Sequence, residues 1–200
     1  MKSHKTNFLR VVNSYGLRIL IVTLLLAVWA IDGLAQRRVM ECGARIVSQQ
    51  PFGNERLCLF VPDTQDRTKV ALRPCTPATS DPGFLWKIIR RDGGGLYITS
   101  ATSGQERRME VADYNKRNGG AIQMWGPNEG NGYRSQTWDF FPVGTNAMIV
   151  GVDSGLCMAV PLGSNRLDQE FLIQFNCSTA RNFLWQVEPV RTGAERNDCR

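Results

Sequence analysis

Few residues of this 200-residue chain are of the types and spacing that make or break covalent bonds. Its one histidine is His4, inside a segment that reads as a leader, so the rest of the chain has no imidazole for a triad, a general base or a metal site. Close-set carboxylates occur as Asp63 with Asp66 and as Glu106 with Glu110. An acid/base pair needs two carboxyl groups in unlike surroundings, and the residues flanking these pairs offer no such contrast. The six cysteines are Cys42, Cys58, Cys75, Cys157, Cys177 and Cys199; an even count behind a secretory leader points to disulfides rather than nucleophiles. These residues predict a protein that is not an enzyme, carries no cofactor and holds no metal, and they leave binding as the chemistry to look for.

The elements that must position a binding residue come as a repeat. Three times, about fifty residues apart, the chain runs through four short apolar strands. The copies align at Leu57-Cys58-Leu59-Phe60-Val61, Arg108-Met109-Glu110-Val111-Ala112 and Leu156-Cys157-Met158-Ala159-Val160, and they close on Phe84-Leu85-Trp86, Gln136-Thr137-Trp138 and Phe183-Leu184-Trp185. Strands are expected at 44–48, 57–61, 69–75 and 84–89, at 96–100, 109–112, 121–125 and 137–141, and at 147–150, 157–160, 171–175 and 183–187. Asn118-Gly119-Gly120 makes a tight turn inside the middle copy. No sustained helical period of apolar residues occurs, so the class is all-β. A unit of four short strands cannot bury its own apolar face, and three such units must therefore share one core in a closed, three-lobed structure. The three tryptophans that close the copies belong to that core.

The repeat also selects a disulfide pattern. Cys58 and Cys75 hold places in the first copy that Cys157 and Cys177 hold in the third, while the middle copy has Arg108 and Pro127 there, so both partners are missing together. Pairing within a copy follows, each bridge closing a loop of nearly twenty residues and stabilising by about 3 kcal/mol. Cys42 and Cys199 remain at the two ends, which a closed fold brings together, and they are expected to pair.

Residues 1–35 carry Lys2, Lys5, Arg10 and Arg18, then a largely apolar run from Ile19 to Ile31, then Gly33 and Ala35 where a signal peptidase needs small residues. The run is short for a bilayer, which favours a cleaved secretory signal over the alternative of an uncleaved anchor. The expected organisation is a signal peptide at 1–35, a lead-in at 36–41, one domain at 42–191 and a polar tail at 192–200. The leader supplies +3 of the formal net charge of +6, and the pairs Arg37-Arg38, Arg90-Arg91 and Arg107-Arg108 are scattered among acids, so no basic stripe suits nucleic acid.

The middle copy resembles a sugar-binding repeat of the ricin B-type lectins, β-trefoil domains marked by a Gln-any-Trp triplet. The likeness rests on Met109-Glu110-Val111, on Asn118-Gly119-Gly120-Ala121-Ile122-Gln123-Met124-Trp125 and on Ser135-Gln136-Thr137-Trp138, and it extends over about residues 42–191. It implies a β-trefoil of three four-stranded repeats with pseudo-threefold symmetry. A pyranose has an apolar face and a rim of hydroxyls, and needs one aromatic plate with acceptors and donors at its edge. By the resemblance Trp125 is the plate and Glu110 the hydroxyl acceptor, with Gln123, Ser135 and Gln136 as polar neighbours and Asn118 in the turn that shapes the rim. Glu110 is one methylene longer than the family's Asp, and Ser135 replaces an Asn. In the outer copies the acid position holds Phe60 and Ala159, the plate position Arg73 and Phe175, and Phe84 and Phe183 replace the Gln; these read as lost or altered sites.

The expectation is thus a secreted lectin for galactose-like glycans on cell-surface or secreted glycoconjugates, with one principal site, no stable membrane span and room for a second protein chain as partner. The rival reading is a trefoil that has lost sugar binding and docks on protein, as a toxin delivery subunit or a protease inhibitor.

Overall fold

The computed structural model describes residues 39–63, 65–75, 81–101, 106–128, 131–162 and 171–190. Twelve strands occupy them: β1 (Val39–Phe52), β2 (Glu55–Phe60), β3 (Ala71–Pro74), β4 (Trp86–Arg90), β5 (Leu96–Ser100), β6 (Arg108–Val111), β7 (Ile122–Trp125), β8 (Trp138–Val143), β9 (Asn146–Gly151), β10 (Cys157–Ala159), β11 (Ile173–Phe175) and β12 (Trp185–Pro189). The first and fourth strands of each repeat pair around a closed ring, β1 with β4, β4 with β5, β5 with β8, β8 with β9, β9 with β12 and β12 with β1. Closure removes the unpaired edges that an open sheet of this size would expose.

The remaining strands form the hairpins β2–β3, β6–β7 and β10–β11. Single bridges tie these to one another, Lys69 to Gln123, Ala71 to Phe171 and Ala121 to Ile173, so the hairpins cap one end as a triplet. A six-stranded barrel capped by three hairpins is a β-trefoil.

Alternation places one face of the strands in a shared interior containing Ile46, Leu59, Leu72, Ile98, Met109, Met124, Ile149 and Met158. Trp86, Trp138 and Trp185 are wholly buried at the starts of the fourth strands. Each indole N–H donates to the second strand of its own repeat, to Leu59 O at 3.2 Å, Met109 O at 3.0 Å and Met158 O at 3.1 Å. A buried indole needs such a partner, and these three bonds give the repeat its register.

The fourth strands start later than expected. Phe84 and Phe183 close short 3-10 turns, Pro82–Phe84 and Arg181–Phe183, and Asn131–Gln136 is a longer one, so the strands open on Trp itself. These turns move residue types with strand propensity into helical geometry, because the tryptophan must drop into the core immediately afterwards. Lys69 and Val70 also precede β3, and Ala112 begins a 3-10 turn rather than ending β6.

The turn from β4 to β5 shows why glycine is required there. Gly95 has φ of +74°, and a Cβ on it would stand 2.3 Å from the Thr137 methyl. The disulfides Cys58–Cys75 and Cys157–Cys177 are formed as the repeat predicts. The leader, the tail and, with it, Cys199 lie outside the described residues, and so therefore does the expected pairing of Cys199 with Cys42. Among the described residues no helix is long and apolar enough to cross a membrane.

Candidate functional site

The indole bonds equate Leu59, Met109 and Met158, so the next residues, Phe60, Glu110 and Ala159, are equivalent. Their partners across the hairpins are Ala71, Gln123 and Ile173, and two residues further along lie Arg73, Trp125 and Phe175. Phe84, Gln136 and Phe183 occupy equivalent places two residues before each tryptophan. Only in the middle repeat is this set polar.

Met109 and Val111 join the core, which turns Glu110 to the opposite face of β6, opposite Gln123 on β7. Gln123 Nε2 donates to Glu110 Oε1 at 2.9 Å. Gln136, at the end of the 3-10 turn, donates from Nε2 to Glu110 Oε2 at 3.1 Å and to Gly126 O at 2.8 Å, while its Oε1 accepts from the Asn128 N–H at 3.0 Å. One amide therefore holds each carboxylate oxygen. Because each oxygen has two lone-pair directions, each keeps one for an incoming hydroxyl.

Glu110 is buried, and the loss of water raises its carboxyl above the ordinary 4.5; the two glutamine hydrogen bonds oppose the rise, while Asp113 and Asp66 add to it. Trp125, half-buried, lies on the same face of β7 as Gln123. Its ring lies under the guanidinium of Arg67, 5.7 Å from the centroid.

Several residues of this neighbourhood were not found from the sequence. Arg67 and Asp66 come from the first repeat, whose loop bonds into the middle one through Arg67 N to Met124 O at 2.9 Å and Gly126 N to Asp66 Oδ1 at 2.8 Å. Arg67 has φ of 68°, and Asp113 and Tyr114 follow β6 with φ of 55° and 53°. Such conformations are uncommon outside glycine and gather at binding sites. Tyr114 is exposed, and its hydroxyl accepts from Asn128 Nδ2 at 2.8 Å, so a hydrogen-bonded chain runs from Tyr114 through Asn128 and Gln136 to Glu110. Positive φ at non-glycine residues leaves no mark in composition or spacing.

Two expected members sit differently. Ser135 is buried and lines a narrow crevice with Tyr114, Arg134 and Asp153. Asn118 turns to the third repeat, where its Oδ1 accepts from the Asn176 N–H at 2.9 Å. It braces the β6–β7 loop, as does the fully buried Gln174, which donates to Asn115 O at 2.6 Å and Arg117 O at 3.0 Å.

The first repeat has closed its equivalent position with its own side chains. Phe60 packs against Phe84 with centroids 4.8 Å apart, and the Arg73 guanidinium lies 4.1 Å from the Phe60 ring centroid. Arg73, in the place of the plate, thus covers Phe60, in the place of the acid.

No protein-family model matches this chain, and no curated protein sequence matches it. Solved structures do. A designed threefold-symmetric protein, ThreeFoil, superposes with a TM-score of 0.62 at 17% identity over 74% of this chain and 98% of that one. A Polyporus squamosus lectin, solved bound to the human-type influenza-binding epitope Neu5Acα2-6Galβ1-4GlcNAc, gives 0.57 at 15% identity over 74% of this chain and 49% of its own. The hemolytic lectin CEL-III gives 0.53 at 16% identity over 76% and 30%. The chain thus spans nearly all of the designed protein but less than half of either lectin. At these identities the likeness establishes the fold, and the fold is a β-trefoil.

Proposed function

We propose that this protein is a secreted, non-enzymatic carbohydrate-binding lectin of the ricin B type, with one principal site for a galactose-like sugar in its middle repeat. The observation that carries the reading is the Glu110 carboxylate held by Gln123 on one oxygen and Gln136 on the other, on the face that also carries Trp125. A sugar there stacks its apolar face on the indole and donates two neighbouring hydroxyls to the fixed carboxylate; hydrogen bonds to a charged group contribute about 1.5–3 kcal/mol each. Lectins among the similar folds, one of them solved with a galactose-containing epitope, support the same direction. One shallow site binds weakly, so clustering on a glycan-rich surface or a second chain would supply avidity.

A glycan array followed by isothermal titration tests this. The unmodified protein should bind terminal galactose-type glycans, while Trp125→Ala and Glu110→Ala should each lose detectable binding and keep a native circular-dichroism spectrum. The filled position around Phe60 favours the rival, a protein-docking trefoil. Absence of binding to any glycan by the unmodified protein would transfer the reading to that rival.

A further inference from the structure

The third repeat, at the position equivalent to Glu110, holds a cavity of about 560 Å³. Ala159, Ile173 and Phe183, in the places of Glu110, Gln123 and Gln136, line it, and so does Phe175 in the place of Trp125. The volume lies within the range of small-molecule sites. Phe175 is 42% exposed, so a flat aromatic face is offered at the opening. No charged side chain lines the cavity among the described residues.

Three polar side chains, Asn176, Ser178 and Asn182, stand in this mostly apolar wall; the first two are exposed at its rim, and Asn182 alone is buried. Asn182 is 4% exposed and lines the cavity. Its Nδ2 donates to Val160 O at 3.2 Å, while its Oδ1 accepts no hydrogen bond from the described residues. With no protein donor on it among the described residues, this oxygen of a buried residue is an acceptor that a ligand in the cavity can use. Nearby, the Cys157–Cys177 disulfide ties β10 to the cavity wall at Cys177, which holds the site's shape without a ligand.

We propose that this cavity binds an uncharged ring compound, aromatic or alicyclic, that bears a single hydroxyl or N–H donor. The ring lies against Phe175 over Ile173 and Ala159, and the donor meets Asn182 Oδ1. A sugar fits poorly, because the hydroxyls it turns toward Ala159, Ile173 and Phe183, away from the polar rim of Asn176 and Ser178, would be left unpaired. A charged ligand fits no better, since no described residue of the lining neutralises it.

The test uses the full chain and 2-naphthol, a neutral aryl alcohol, with saturation-transfer NMR to detect binding and a titration for Kd. The unmodified protein should bind it, and saturating galactose should leave that binding unchanged, which separates this site from the middle one. Phe175→Ala should weaken binding roughly tenfold through the lost stacking surface. Ile173→Gln, which introduces the middle repeat's residue type on a half-buried position, should weaken it comparably. Phe141→Ala, an exposed aromatic on β8, is the control for adsorption and should change nothing. 2-Methoxynaphthalene, which lacks the donor, should bind roughly fivefold more weakly. The proposal is overturned if the unmodified protein does not bind 2-naphthol, if galactose displaces it, or if both cavity variants bind as well as the parent while holding the parent's circular-dichroism spectrum.

Discussion

The middle and third repeats share a backbone plan and differ in what stands on it. In both, an indole N–H reaches the second strand, at Met109 or Met158, and the next residue faces a hairpin partner and a residue from the closing 3-10 turn. In the middle repeat those three side chains are Glu110, Gln123 and Gln136, joined by hydrogen bonds beside Trp125. In the third they are Ala159, Ile173 and Phe183 around an open volume beside Phe175. The difference teaches that the trefoil core and the pocket chemistry are separable. The core-facing residues alternate with the pocket-facing ones, so exchanging the latter leaves the barrel intact.

The sharpest check on that separation concerns the residues both repeats share. Trp138→Ala and Trp185→Ala should destabilise by about 3–5 kcal/mol each, because a buried indole and its hydrogen bond are lost together. Denaturant melts giving one a large effect and the other none would break the equivalence of the repeats.

The disulfide separates the two repeats next. Replacing both Cys157 and Cys177 with Ala should cost about 3 kcal/mol through the unfolded chain, while the middle repeat has Arg108 and Pro127 in those places and no bridge to lose. A calorimetric scan comparing the double variant with the parent under oxidising conditions measures this.

An exchange of pocket chemistry comes third. The triple variant Glu110→Ala, Gln123→Ile and Gln136→Phe should lose galactose binding entirely and gain affinity for 2-naphthol, with a Tm within a few degrees of the parent. A variant that folds but acquires no ring binding would show that the third cavity needs more than these three positions.

The smallest effect is a pH response confined to the middle repeat. Burial raises the Glu110 carboxyl above 4.5, so galactose binding should weaken as pH falls and should begin to do so above the ordinary carboxylate range, because a protonated acid accepts poorly. Without ligand the sign reverses: the raised value means that the stability contributed by protonated Glu110 is full below the ordinary value and lost as pH rises through the raised one. Glu110→Gln should therefore gain in stability relative to the parent over that rise. Binding of 2-naphthol in the third repeat, where Ala159 stands in place of the acid, should stay flat across the same titration.

Much of this was legible in the residue order. The repeat of apolar strands with Trp at fixed places specified a closed threefold all-β fold, since no single copy can bury its own face. The paired loss of cysteines in the middle copy specified two disulfides, and the sequence singled out Glu110, Gln123 and Gln136, which the fold joins by hydrogen bonds. Tertiary structure decided what depends on neighbours distant in the chain. It brought Arg67 from the first repeat over Trp125, and it turned Asn118 away to Asn176. It folded Arg73 onto Phe60 to close one outer position and left the other hollow around Ala159. Periodicity records which face of a strand is buried, but whether a vacated pocket collapses depends on the size and reach of side chains that meet only after the barrel has closed.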